Sequence, residues 1–321
     1  MAVSAVLLAV GAFASITFEQ PPVKVGVSGE PGYCYGFGSE TKATPSIVCG
    51  MEDTGDTATV DGGKTWAPVG PCNASIPVGK MKRCQGTINE LFHMQNGSLR
   101  TVELHGTPRG QSPPSNSSWV GTTAGFTWVR DSSSGALARI PEANHTTSWT
   151  GLPHPSYNGG IRLHQQGSIR VRSSACAGFT GGAAADDEAG CLLQTASVLW
   201  GGIDATRSES LVLFSSLDEG TTYKYHATIA LAVDFNSTWE GPGNENSIAR
   251  LSNGSLVAVL RMKFDTFYTH SLSLDGTGRT WTLPTELPGM GCCRPRLLRL
   301  GVALLLTGGR CTPTGPAENI L

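Results

Sequence analysis

The sequence predicts an all-β fold of four-stranded antiparallel units in series, and three observations lead there. Glycine is abundant while charge is sparse, one turn-forming octapeptide recurs, and apolar runs repeatedly face each other across a tight turn. Of 321 residues, 41 are Gly and 19 are Pro, and charged residues make up 15%. An average chain has roughly 7% Gly, 5% Pro and 25% charged residues. Apolar residues still reach 39% and the net charge is -2, which excludes the composition of a disordered chain. The same balance leaves no basic stripe for a nucleic-acid backbone. With aromatics at 7% and apolar runs that are short and bounded by turn residues, strands are favoured over helices.

Residues 1–14, MAVSAVLLAVGAFA, form an apolar stretch of leader length. It ends in Ala12-Phe13-Ala14, the small-x-small pattern that precedes a cleavage site. A signal peptide is expected there, with the folded chain running from residue 15 to 321. The alternative is a strand, because no Lys or Arg precedes the apolar run. No later stretch reaches the roughly 18 apolar residues of a spanning helix, so no membrane span is expected.

Six Asn-x-Ser/Thr sequons start at Asn73, Asn96, Asn116, Asn144, Asn236 and Asn253, where the Ser and Thr content alone gives about two. The excess points to a secreted protein or one in the secretory pathway. Two of the six are Asn-Gly-Ser, and Asn-Gly serves a hairpin turn on its own account. Glycosylation is therefore expected at Asn73, Asn116, Asn144 and Asn236. Nine cysteines (34, 49, 72, 84, 176, 191, 292, 293 and 311) contain no C-x-x-C pair, so no zinc site is read from them. Cys34 with Cys49, Cys72 with Cys84, and Cys176 with Cys191 are near enough to close short loops in an oxidising compartment. The seven histidines form no i, i+4 pair; neither a metal nor a cofactor is expected.

The repeated element is TVDGGKTW at residues 59–66, SLDEGTTY at 216–223 and, one residue longer, SLDGTGRTW at 273–281. A degenerate fourth copy spans residues 121–128, where Thr123 stands in place of the Asp. The residue types suit a hairpin tip. The Asp accepts bonds from backbone N–H groups just ahead of it, the Gly takes positive φ, and the aromatic seals the turn from beneath. The aromatic ends, at 66, 128, 223 and 281, lie 62, 95 and 58 residues apart, close to one or two units of about 50 residues, the size of a four-stranded propeller blade. Residues 91–99, 248–260 and 297–306 each read as strand, tight turn, strand, and two such hairpins make one four-stranded sheet.

This S/T-x-D-x-G-x-T-W/Y repeat resembles the Asp-box of the sialidase superfamily, whose members are six-bladed β-propellers; the box also occurs in other glycoside hydrolases and in non-enzymatic sortilin-type receptors. The resemblance covers residues 55–285. It implies a six-bladed propeller of sialidase type. Residues 15–321 hold about five to five and a half units of blade size, so the last, C-terminal blade is expected to be incomplete.

Residues 243–261, GNENSIARLSNGSLVAVLR, are similar to the sialidase segment in which a Glu precedes a strand, a turn follows, and the return strand ends in an Arg. Glu245 and Arg261 are 16 residues apart, so a turn at Asn253-Gly254 puts both at one rim of the sheet. The resemblance implies that Glu245 is the base activating a tyrosine nucleophile, and that Arg261 is one of three arginines clamping the sugar carboxylate. A phenol with pKa near 10 needs such a base at neutral pH, and a planar guanidinium holds a carboxylate through two bonds where a lysine cannot. Arg310, after an apolar run and a Gly pair, is the expected second clamp; Arg294 and Arg296 are its rivals. The family pattern also departs. No Arg precedes Arg83 to serve as the first clamp, Asp53 and Asp56 lie where the acid/base Asp belongs without that Arg beside them, and the last tyrosine, Tyr268, comes before Arg310. The expected function is removal of terminal sialic acid from glycoconjugates, with sialylated glycans or related acidic sugars as partners. The alternative is a non-catalytic secreted module that binds glycans or proteins.

Overall fold

A computed structural model describes, with side chains, residues 57–61, 64–68, 147–153, 168–171, 190–198, 210–234, 245–261, 268–287, 295–297 and 304–306, and the backbone of the further strands named below. Apart from one 3-10 turn, Ala232–Asp234, every regular element among them is a strand. The chain divides into two compact units. One comprises Thr17–Leu104 with Thr123–Thr147, the other Met1–Ile16, His105–Thr122 and Ser148–Leu321.

The first unit holds an antiparallel meander of four strands, Pro31–Ser39, Lys42–Met51, Gly55–Thr59 and Ala67–Pro71. Its register sets Cys34 directly opposite Cys49. Leu91–His93 and Leu99–Thr101 pair as a short hairpin.

In the second unit, β1 (Ser156–Val171), β2 (Cys191–Trp200), β3 (Ser210–Ser216) and β4 (Thr222–Ala230) form another antiparallel meander. The outer edge of β4 takes a parallel partner, with Trp149 opposite Tyr223. A third meander follows in β5 (Asn246–Arg250), β6 (Leu256–Arg261), β7 (Tyr268–Ser273) and β8 (Thr285–Leu287). β9 (Cys293–Leu300) and β10 (Ala303–Thr312) make the last hairpin, and Gly315–Glu318 adds to β10. Of the expected leader, Val6–Leu7 is a strand against Leu306 and Leu305 of β10; the rest lies outside the described residues.

β6 is apolar on both faces because both are covered, which explains its unbroken run LVAVL, whereas β5 buries Asn246 and Ser247 beside Ile248 and Ala249. Ile248, Leu256, Ala258 and Leu260 join Leu193, Leu211, Leu213 and Ile229 in one core layer. Ala249, Val257, Val259 and Tyr268 join Leu304 and Leu306 in another.

Each four-stranded meander carries an Asp-centred turn between its third and fourth strands. In the first, Asp61 Oδ1 accepts from the backbone N–H groups of Lys64 and Thr65 at 2.9 and 3.0 Å, and Oδ2 accepts from the Thr65 hydroxyl at 2.6 Å. Together with the Thr59 hydroxyl, whose bond acts most strongly, these contacts hold the Asp61 carboxyl well below the usual carboxylate range. Asp218 repeats the pattern with Thr222 N and Oγ1 at 2.7 and 2.6 Å, while Gly220 N donates to Ser216 Oγ. The longer copy differs. Thr277, two residues beyond Asp275, supplies both the N–H and the hydroxyl, so the extra residue is absorbed ahead of Gly278, whose N–H returns to Ser273 Oγ. Residues 121–128 make no such turn. They run within one strand, Trp119–Arg130, where Gly121 offers no hydroxyl and Thr123 no carboxylate to gather backbone N–H groups as in the other copies.

Glu219 is a non-glycine residue at positive φ, 56°. Arg170 at the end of β1 donates to both of its carboxylate oxygens, at 2.7 and 2.8 Å, a fork that fixes the left-handed residue in place.

His226 on β4 is 5% exposed and donates from Nε2 to the Thr277 carbonyl at 2.8 Å, tying β4 to the turn beyond β7. Burial lowers its pKa from 6.5, and Arg279 acts in the same direction, while the Thr277 bond and Asp275 oppose it. The unfolded state therefore binds the proton first. Stability from the neutral ring is complete above about pH 6.5 and falls below it, by up to about 1.4 kcal/mol per pH unit until the folded pKa is reached. Urea unfolding between neutral pH and about pH 5 should show a steeper loss in the parent chain than in His226→Gln; equal slopes would exclude the ring as the cause.

Candidate functional site

Glu245 stands immediately before β5 and Arg261 closes β6, so the hairpin turn at residues 251–255 brings their backbones side by side. Arg261 N donates to the Glu245 carbonyl at 2.9 Å. Glu245 Oε2 accepts from Arg261 Nη1 at 2.9 Å, with the two side chains 21% and 26% exposed. The Arg261 Nε is buried and has no hydrogen-bond partner among the described residues.

Both neighbours of this corner are fixed from other elements. The Thr195 hydroxyl on β2 donates to Asn246 Oδ1 at 2.5 Å, anchoring the residue after Glu245 from 51 positions away. Ser247 Oγ accepts the Leu297 N–H of β9 at 3.1 Å. Thr195 carries no motif in the sequence, and Ser247 stands in the 243–261 segment without a role of its own there; both contacts appear only once strands distant along the chain are packed together.

Tyr268 is the ladder partner of Arg261. It is 1% exposed and packs among Ala249, Val257 and Val259. The other expected groups are placed less fully. Arg310 lies in β10 opposite Glu318, and Arg294 and Arg296 lie in β9; the side chains of Arg310 and Arg294 fall outside the described residues, as do Asp53 and the side chain of Asp56. Asn73, Asn116 and Asn236 are likewise outside them, and Asn144 has only its backbone described, in the strand Leu137–Leu152. Cys191 is disulfide-bonded; Cys176, its expected partner, is outside the described residues.

No known family model matches the sequence, and no curated protein matches it. Among solved structures, the chain is similar to a protein of unknown function from Dyadobacter fermentans, with a TM-score of 0.49 and 15% identity over 91% of this chain and 82% of that one. It is similar to an endo-arabinase from Bacteroides thetaiotaomicron, with a TM-score of 0.47 and 14% identity over 88% and 90%. A sialidase from Trypanosoma rangeli in complex with sialic acid gives a TM-score of 0.41 and 11% identity over 84% of this chain and 42% of its own length.

Proposed function

We propose that this chain is a secreted, sialidase-type Asp-box propeller whose ligand is a terminal sialic acid or a related acidic sugar, bound and hydrolysed at Glu245 and Arg261. The observation that carries the proposal is the 2.9 Å pairing of these two side chains at a partly exposed strand end. Three Asp-centred turns, each between the third and fourth strands of a four-stranded meander, support the propeller, and the disulfide at Cys191 supports an oxidising compartment.

In this reading the guanidinium of Arg261 binds the sugar carboxylate through two parallel bonds. Glu245, freed from Arg261 by the incoming carboxylate, takes the proton of a tyrosine hydroxyl. The phenolate attacks the anomeric carbon through an oxocarbenium-like transition state, the bond from that carbon to the aglycone oxygen breaks, and the aglycone leaves as an alcohol with a proton from a general acid. Water then releases the sugar from the covalent glycosyl intermediate, a scheme distinct from the usual two-carboxylate one. Arg310 is proposed as a second arm of the clamp. Tyr268, shut in its apolar cluster, is not the nucleophile. Its burial favours the second reading, a propeller that binds acidic glycans without cleaving them.

A fluorogenic sialoside assay on the secreted chain tests the choice. Glu245→Gln keeps the shape and hydrogen-bonding length of the side chain but removes its basicity, and should lower turnover by about 10²- to 10⁴-fold. A parent chain no faster than the variant would end the enzymatic reading. Glycan binding that survives Glu245→Gln but is lost with Arg261→Ala would establish the binding module.

A further inference from the structure

The hairpin turn between β5 and β6 assigns two separate jobs to one asparagine. Asn253 Oδ1 accepts the Ser255 N–H at 3.0 Å, and the turn is closed by Gly254 N–H to the Leu251 carbonyl and Leu251 N–H to the Ser255 carbonyl, at 3.0 and 2.8 Å. Gly254 sits at φ +92°. The turn therefore uses the carbonyl oxygen of the Asn253 side chain and the freedom of the glycine. Its amide nitrogen, Nδ2, is the atom that a glycan takes. Asn253 is exposed and Nδ2 makes no hydrogen bond among the described residues. A turn role and a glycan are thus compatible at this Asn-Gly-Ser, although the Asn-Gly pair alone reads as a turn.

The third residue of the sequon is in a different state. Ser255 is 4% exposed and its hydroxyl donates to the Leu274 carbonyl at 3.1 Å. A Cβ on Gly276 would lie 2.3 Å from the Gly254 carbonyl oxygen, so the turn of residues 273–281 is seated directly on the hairpin. The acceptor sequence needs that hydroxyl presented to the transferase, and the folded tip withholds it.

We infer that Asn253 carries an N-linked glycan, attached before residues 273–281 dock on the hairpin. In the transfer, the Asn253 amide nitrogen forms a bond to the anomeric carbon of a lipid diphosphate-linked oligosaccharide. The bond from that carbon to the diphosphate oxygen breaks, the lipid diphosphate leaves, and the amide loses one proton to the transferase. Five paired positions separate Asn253 from Glu245 and Arg261, about 16 Å at the usual rise per residue. A glycan at the tip leaves the proposed sugar site open.

The glycan rests on the secretory route proposed above, and the test supplies that route. The full chain is expressed behind a host leader peptide in glycosylating cells, and the secreted protein is released from its glycans by amidase in heavy-oxygen water. Asn253 should be recovered as labelled Asp in most molecules. Asn253→Asp, which keeps the Oδ1 acceptor of the turn, should lose the mass of one glycan and be secreted as well as the parent. An unlabelled Asn253 in secreted protein would overturn the inference. The timing is read separately on unglycosylated protein from a host without the transferase, offered transferase and lipid-linked oligosaccharide. Heat-unfolded chain should be modified at Asn253 and folded chain should not; equal modification would overturn the order of events. A failed sialoside assay bears on neither result.

Discussion

Trp149→Ala is expected to lower the free energy of unfolding by about 3–5 kcal/mol, the cost of deleting a large aromatic from a core that cannot collapse around the space. Trp149 is fully buried, stacks on Tyr223 with ring centroids 4.3 Å apart and planes 5° apart, and meets Phe214 edge-on at 5.1 Å. Tyr223 is the aromatic that ends the Asp218 turn, and it is itself fully buried. The indole also lies opposite Tyr223 in the parallel ladder that joins residues 148–150 to β4. Removing it takes away the floor of the turn and the main side-chain contact of that strand pair together. Trp149→Phe keeps a ring over Tyr223 and should cost less than half as much. By contrast, Leu283, which is 72% exposed, should tolerate Ala within about 0.5 kcal/mol. A Trp149→Ala loss under about 1 kcal/mol, read by urea titration, would mean that the stack does not hold the edge strand.

What the sequence tells and what it withholds divide along the range of the interactions. Asn253-Gly254 between two apolar runs states a hairpin locally, and a spacing of 16 then places Glu245 and Arg261 at one end. The side chain of each box aspartate turns back on N–H groups two to four residues ahead, so the turns at Asp61 and Asp218 follow from their own eight residues. The longer copy is less transparent, because Thr277 replaces the expected threonine without any change in the pattern of residue types. The copy at residues 121–128 lacks two turn-forming groups, the first hydroxyl, replaced by Gly121, and the carboxylate, replaced by Thr123. Its Gly, Thr and Trp are in place, but without those two groups the chain runs straight through as a strand.

Long-range contacts leave no such trace. Thr195 and Asn246 meet at 2.5 Å, yet Thr195 stands in no recognisable motif, Asn246 has no role of its own within residues 243–261, and each reads locally as an ordinary polar residue in a strand. The parallel pairing of Trp149 with Tyr223 joins residues 74 positions apart along the chain, where nothing near either residue specifies the partner. Arg170 and Glu219 form their fork across 49 positions. Such contacts fix the Glu245 corner and the seat of the turns, and they come from sheet packing that no local periodicity encodes.

Arg261→Ala is expected to separate what the ion pair does for stability from what it does for the sugar. At a strand end with side chains about one-quarter exposed, the pair lies between an exposed bridge, worth at most about 1 kcal/mol, and a buried one whose disruption costs about 3–5 kcal/mol. A loss of about 1–2 kcal/mol in unfolding is expected, because the released Glu245 carboxylate keeps some contact with water. The loss in function should be larger. Two charge-assisted bonds to a ligand carboxylate, at about 1.5–3 kcal/mol each, correspond to at least about a 100-fold drop in kcat/KM or in glycan affinity. Arg261→Lys retains the charge but not the planar fork, so stability should be largely recovered and binding only partly. That split between the two substitutions identifies a carboxylate receptor. If Arg261→Lys instead restored both fully, or if Arg261→Ala lost stability without any loss of ligand, the pair would be a latch that ties the open end of the β5–β6 hairpin.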